Sequence, residues 1–122
     1  MKFKSKQIKG KGRGRLLGYP TINLEIPQNF NLEDGIYAVK VFTREKEFIG
    51  AMHYGPIPVF KENKKTLEVF LIDIEYSDIP NSKVFEIETL KYLRPVLNFP
   101  SQEELVKQIG KDVNQTREIA GA

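Results

Sequence analysis

The alternation of apolar and polar residues predicts a chain of short β-strands followed by one helix. In six segments, apolar residues alternate with polar ones or cluster as β-branched and aromatic side chains. The segments are 3–9, 21–26, 36–42, 47–54, 66–73 and 83–94. Turn signals at Asp34-Gly35 and Gly55-Pro56 separate neighbouring segments, which indicates short strands joined by tight connections.

Two of these segments carry more detailed predictions. Segment 66–73 is apolar on both faces, so we expect its strand to be central in the sheet. In segment 83–94, Phe85 and Ile87 share one parity, whereas Leu90 and Tyr92 share the other. This switch of parity within one strand predicts a β-bulge between the two pairs.

The C-terminal stretch has the start signal and the spacing of an amphipathic helix. Ser101 and Glu104 form a capping-box pattern. Apolar residues then follow at helical spacing: Leu105, Ile109 and Val113. Gly110 either ends this helix or only weakens it. Six strands and a terminal helix in 122 residues predict one mainly-β domain over 1–122, a small closed β-barrel.

Composition excludes several kinds of site and partner. The chain has no Cys and a single His, which excludes disulfides, thiolate metal sites and zinc sites built from several histidines. No segment has the length of a membrane span, and the basic N-terminus lacks the apolar region of a secretory signal. We therefore expect a soluble cytoplasmic protein with no membrane partner.

The charge is concentrated at the N-terminus. Of the 19 Lys and Arg residues, seven precede Glu25, whereas none of the 16 acidic residues does. A generic nucleic-acid binder would spread its basic surface more widely, so this pattern favours a local anion site and no nucleic-acid partner. The alternative is a solvated basic arm without a ligand.

A glycine-rich basic stretch and the strand after it carry the strongest chemical signal. Gly10, Gly12 and Gly14 let backbone N–H groups approach an anion closely, and Arg15 adds neutralising charge. The pattern is neither a Walker A loop nor a Rossmann fingerprint. Thr21 and Asn23, two positions apart on one strand face, offer neutral oxygens to a hard cation. An ordinary strand Thr and turn Asn are the alternative.

Other candidate residues lie further along the chain. Glu68 stands in an apolar strand, where a carboxylate must reach water, a partner or a ligand, and where it could accept a proton from a hydroxyl nucleophile. A structural ion pair or an exposed position is the alternative. Arg94 and Phe99 could grip a planar ligand or its phosphate, or could be a surface Arg and a core Phe. We assign no special role to the lone His53.

In combination, these residues resemble the riboflavin kinase (flavokinase) family over nearly the whole chain. The matching motifs are Gly10-x-Gly12-Arg13-Gly14-Arg15-x-Leu17-Gly18-Tyr19-Pro20-Thr21-Ile22-Asn23-Leu24, Gly35-Ile36-Tyr37, Leu67-Glu68-Val69, Tyr92-Leu93-Arg94-Pro95 and Phe99. The resemblance implies a six-stranded antiparallel Greek-key β-barrel with a C-terminal helix. It also implies transfer of the γ-phosphate of ATP to the ribityl 5′-hydroxyl of riboflavin, which gives FMN and ADP.

The resemblance also implies roles for individual residues. Glu68 matches the catalytic base, and it lies with Arg94 and Phe99 where the family contacts flavin. Thr21 and Asn23 match the ligands of Mg²⁺, with Mn²⁺ or Zn²⁺ as alternatives, and Thr21 also contacts phosphate. Residues of the nucleotide-phosphate loop are matched by Gly10, Gly12, Gly14 and Arg15.

Three departures from the family pattern modify these expectations. Ile22 replaces the Ala that the family usually has between the Thr and the Asn of this motif, but the Ile22 side chain should face away from the site. Where relatives carry Asp-x-Tyr-Gly, this chain has 78–81 as Asp-Ile-Pro-Asn, which leaves the nucleotide preference open. The chain shows no adenylyltransferase domain, so we expect FMN, not FAD, as the end product. We also expect a monomer. The alternatives are a non-catalytic flavin-binding barrel and an RNA-binding barrel.

Overall fold

A computed structural model describes residues 1–10, 18–44, 46–57 and 64–121. Within these ranges the chain forms six strands, one short 3-10 turn and one helix. The strands are β1 (Lys2–Lys6), β2 (Thr21–Leu24), β3 (Gly35–Phe42), β4 (Glu47–Gly55), β5 (Thr66–Ile72) and β6 (Val84–Arg94). The 3-10 turn spans Tyr76–Asp78, and helix α1 spans Gln102–Ile119. No helix among the described residues is long and apolar enough to cross a membrane.

The six strands form one antiparallel sheet in the order β1-β6-β3-β4-β5-β2. Strands β3, β4 and β5 follow one another as a meander, and β6 returns to lie beside β3, which is a Greek-key connection. The sheet curls so that its edge strands meet at a bridge between Gln7 and Leu24. The predicted mainly-β fold with a C-terminal helix is therefore confirmed.

Strand β1 is shorter than the sequence predicts, because the chain changes its pairing partner after Lys6. Up to that residue β1 pairs with β6. The Gln7 N–H still donates to the Lys83 carbonyl at 2.8 Å. On the β2 side, the Lys6 carbonyl accepts from the Glu25 N–H at 2.9 Å, and the Ile8 N–H donates to the Asn23 carbonyl at 2.8 Å. The segment predicted as one strand therefore bridges two edges of the sheet and joins them.

The core lies inside the curled sheet, and a second apolar cluster lies under the helix. Leu67, Val69 and Leu71 of β5 point into the main core. Phe70 and Ile72, on the opposite face, pack against apolar residues of α1. As expected from its apolar pattern, β5 lies inside the sheet, between β4 and β2, and is buried on both faces.

The predicted features of β6 and α1 are present. The partners of β6 shift from Ala38–Lys91 to Val39–Thr89, which leaves Leu90 as the extra residue of a bulge. The Ser101 hydroxyl caps the helix by accepting a hydrogen bond from the Glu104 N–H at 3.3 Å. Gly110 does not end the helix, which continues to Ile119.

Candidate active site on the outer face of the sheet

Strand register places the polar candidates in one row across the outer face of the sheet. Asn23 of β2 pairs with Glu68 of β5, and Glu68 also pairs with His53 of β4. The row continues through Ile36 to Arg94 at the end of β6. Directly opposed residues on neighbouring strands point to the same face with Cβ atoms about 5 Å apart. Residues distant in sequence thus face one region of the surface.

A cleft of about 290 Å³ opens at the β2 end of this row. Its lining includes Lys9, Gly10, Asn23, Lys65 and Glu68. Glu68 is only 7% exposed, although a carboxylate requires hydrogen bonds or a charged partner when it is taken out of water. The cleft therefore combines a buried carboxylate, an amide oxygen and two cations.

Gly10 is required by its close approach to Asn23. A Cβ atom added at Gly10 would lie 2.0 Å from Nδ2 and 2.6 Å from Oδ1 of Asn23. Because such contacts are impossible, any larger residue at this position would displace the amide. The glycine backbone thus covers the side chain that the sequence assigns to a metal site.

Thr21 lies on the same face of β2 as Asn23, two positions before it. Its hydroxyl donates to the Tyr19 carbonyl at 3.0 Å, so the oxygen lone pairs remain available as acceptors. Tyr76 donates to the same carbonyl at 3.1 Å and thereby links the 3-10 turn to the start of β2. Thr21 is not among the residues that line the cleft.

Thr21 and Asn23 fit a hard cation that takes few protein ligands. No group of three or more His, Cys, Asp or Glu residues among the described ones could hold a metal ion. A cation here would therefore depend on neutral protein oxygens, water and phosphate, which is how Mg²⁺ is commonly held with nucleotides. Gly12, Gly14 and Arg15, predicted to contact phosphate, lie outside the described residues.

Arg94 is tied to helix α1 by a buried ion pair. Its Nε donates to Asp112 Oδ1 at 2.9 Å, and its Nη2 donates to Oδ2 at 2.7 Å. Nη1 donates to the Pro95 carbonyl at 3.1 Å, and the guanidinium carbon lies 5.7 Å from the centroid of the Phe99 ring. Arg94 and Phe99, two of the three residues predicted to contact flavin, are thus in contact with each other.

A match to a known family covers almost all of this chain. The model of the family described as "Flavokinase: Riboflavin kinase" matches residues 1–120. The chain belongs to the flavokinase family. Its membership confirms the family resemblance stated from the motifs.

Curated relatives agree with this flavokinase assignment, and one solved structure shares the fold of this chain. A bifunctional riboflavin kinase/FMN adenylyltransferase from Buchnera aphidicola subsp. Acyrthosiphon pisum is 38% identical over 87% of this chain and 34% of that protein. The RNA-binding riboflavin kinase RibR of Bacillus subtilis is 38% identical over 88% of this chain and 46% of its own. The chain thus spans less than half of these relatives. A crystal structure of a macrolide-efflux protein from Streptococcus pneumoniae matches 95% of this chain and 38% of its own, with a TM-score of 0.79 and 26% identity.

His53 is a residue of this candidate site that the sequence did not indicate. It is 8% exposed, and its Nε2 lies 2.9 Å from the Gly55 carbonyl, so the neutral ring carries its proton there. Burial lowers the pKa of His53 below its usual 6.5, and nearby Arg94 lowers it further. A lone histidine in a strand gives no signal for this placement, because only the strand register brings it beside Glu68.

Proposed function

We propose that this chain phosphorylates riboflavin with ATP to give FMN and ADP. The observation that carries the proposal is the pairing of Asn23 with Glu68 at one cleft, in a chain whose family match spans residues 1–120. The riboflavin 5′-hydroxyl oxygen forms a bond to the γ-phosphorus as the bond from that phosphorus to the bridging oxygen of ADP breaks. The hydroxyl proton goes to a base.

We assign the base to Glu68. Glu68 is buried within the apolar strand β5, which keeps its carboxylate away from bulk water. A positioned carboxylate orients the hydroxyl and accepts its proton as the new oxygen–phosphorus bond forms. Because Asn23 is its cross-strand neighbour, a phosphate held at Asn23 would lie next to that hydroxyl.

We assign the metal and phosphate side to β2 and the segment before it. Thr21 and Asn23 would hold Mg²⁺ through neutral oxygens, and the Gly10 backbone would approach the phosphates. When bound, this ion neutralises phosphate charge that builds up during transfer. Gly12, Gly14 and Arg15 are assigned to the same phosphates by the sequence motif alone.

We assign the flavin side to Arg94 and Phe99. The contacts with Asp112 and Pro95 use three of the five N–H donors of Arg94. The remaining donors and the neighbouring ring of Phe99 suit a planar, hydrogen-bonding ligand. In the row of outer-face residues that runs from Asn23 through Glu68 to Arg94, the flavin would then lie at the Arg94 end and the phosphates at the Asn23 end.

The experiment is incubation with riboflavin, ATP and Mg²⁺, followed by chromatography for FMN. We expect FMN from the wild type, and a loss of kcat of about 100-fold or more for Glu68→Gln with little change in nucleotide binding. Glu104→Gln, an exposed carboxylate on α1, is the matched control and should be as active as the wild type. Absence of FMN with Mg²⁺, Mn²⁺ and Zn²⁺ alike would refute the proposal.

Two alternatives make different predictions in the same assay. A non-catalytic flavin-binding barrel would bind riboflavin or FMN tightly without turnover. An RNA-binding barrel would show RNA affinity that falls steeply with salt, since such binding releases counterions from phosphates.

A further inference from the structure

Two lysines line the cleft that contains Asn23 and Glu68, and one of them is held in place by described contacts. Lys65 lies in the connection before β5, three residues ahead of Glu68, and its side chain is 51% exposed. Lys65 Nζ lies 2.8 Å from Asp34 Oδ1 and 5.3 Å from the centroid of the Tyr54 ring. The ammonium group thus has a defined place at the edge of the cleft.

The partner of this lysine is itself positioned by the backbone. Asp34 precedes β3 and packs against Gly55, where an added Cβ would lie 3.4 Å from the Asp34 side chain. Gly55 ends β4 with φ +136°, a conformation that disfavours other residues. Asp34 thus contacts Lys65 from the connection before β3.

An exposed ion pair of this kind gives way readily to a stronger anion. Surface pairs between single charges contribute little because water screens them. A phosphate group carries up to two negative charges and three acceptor oxygens, so it competes well with a carboxylate for an ammonium group. Asp34 also raises the pKa of Lys65, which keeps the ammonium charged.

We propose that Lys65 binds the phosphoryl group that is transferred at this cleft, exchanging Asp34 for phosphate when the ligand is present. The proposal rests on the proposed function, since it takes the cleft as the place of transfer. The phosphate could be the γ-phosphate of the nucleotide or the phosphate of FMN, and the two sources are separated by measuring each ligand alone.

The test compares Lys65→Met with Lys64→Met, an exposed neighbouring lysine that does not line the cleft. Binding of riboflavin and FMN is followed by flavin fluorescence, and binding of MgATP by calorimetry. We expect Lys65→Met to weaken the binding of FMN, of MgATP or of both by about tenfold or more, as for loss of a charged hydrogen bond. Riboflavin, which has no phosphate, should bind as to the wild type, and Lys64→Met should change nothing.

Three results would overturn the assignment. Equal affinities of Lys65→Met and Lys64→Met for both phosphate ligands would remove Lys65 from the site. A parallel loss of riboflavin affinity would show that Lys65 only shapes the cleft. Asp34→Asn should bind FMN at least as tightly as the wild type, and a tenfold loss there would assign the effect to the ion pair. If the wild type made no FMN, the proposed function would fail, but the FMN and MgATP binding arms would still decide the role of Lys65.

Discussion

Removing the charge of Asp112 should destabilise the whole domain, because the carboxylate is buried and serves three donors. Asp112 is 1% exposed and accepts hydrogen bonds from Arg94 Nε, Arg94 Nη2 and Gln108 Nε2 at 2.9, 2.7 and 3.1 Å. Asp112→Asn keeps the shape of the side chain but turns an amide N–H₂ toward a guanidinium. The arginine charge is then left without its counter-ion.

The expected loss is about 3 kcal/mol of unfolding free energy. Breaking a buried ion pair by removing one partner costs roughly 3–5 kcal/mol. The Arg94 side chain retains 13% exposure, so some water reaches it and the lower end of the range applies. For a domain of this size, about 3 kcal/mol corresponds to a fall in Tm of roughly 10–15 °C. Urea and thermal unfolding followed by circular dichroism measure both quantities.

A double-mutant cycle separates the ion pair from the proposed flavin contact. Arg94→Met with Asp112→Leu removes both charges, so the double variant should be at least about 2 kcal/mol more stable than the sum of the single losses predicts. Its KM for riboflavin should nevertheless stay raised by about tenfold or more, because the proposed donors are gone.

Two results would refute this reasoning. A loss below about 1 kcal/mol for Asp112→Asn would mean that solvent screens the pair as it screens a surface one. A double variant with wild-type riboflavin KM would show that Arg94 only docks α1 and would remove it from the flavin site.

Three further predictions concern other parts of the chain. The pKa of His53 is lowered in the folded state, so folding favours the neutral ring. The stability that this ring contributes should be complete above about pH 6.5, its pKa in the unfolded chain, and should be lost as the pH falls toward the folded pKa. His53→Gln should therefore reduce the decline of the urea midpoint between pH 7 and 5, and an unchanged decline would contradict this. Gly10→Ala should lower kcat/KM by about tenfold or more, because the added methyl group displaces the Asn23 amide. The free energy of unfolding should change by about 1 kcal/mol or less. Wild-type turnover would show that the position of the amide is unimportant. Gly110→Ala should raise stability by about 0.5–1 kcal/mol, since the nearest atom to an added Cβ is the Tyr19 hydroxyl at 4.0 Å; a destabilised variant in urea unfolding would contradict this.

Local patterns predicted the strands, the bulge and the helix, because each depends on neighbours in sequence. A run that is apolar on both faces identified β5, a parity switch predicted a bulge in β6, and a capping-box pattern identified the start of α1. The role of Asp112 had no such signal. An aspartate on a helix normally faces water, and only the docking of α1 against the end of β6 brings it to Arg94.

Only part of the cleft was predictable, because its residues are brought together by tertiary structure and not by neighbours in sequence. Motif residues such as Asn23 and Glu68 could be singled out by chemistry, but their pairing depends on the register between β2 and β5. Lys65 and Asp34 belong to two different connections, and no periodic pattern relates them. Their ion pair joins two segments that are distant in sequence, which makes it a tertiary feature.

The position of the site follows from how the sheet joins its edges. Core side chains fill the inner face of the sheet, and the row from Asn23 to Arg94 lies on the outer face. Gly10 reaches Asn23 only because the chain after β1 leaves β6 and pairs with β2, through the Gln7–Leu24 bridge and the Ile8 N–H to Asn23 carbonyl bond. The same hydrogen bonds therefore join the edges of the sheet and bring Gly10 to the cleft. A change that loosened this junction would separate Gly10 from Asn23. Glu68 of β5 would stay paired with His53 of β4, because that pairing does not involve the junction.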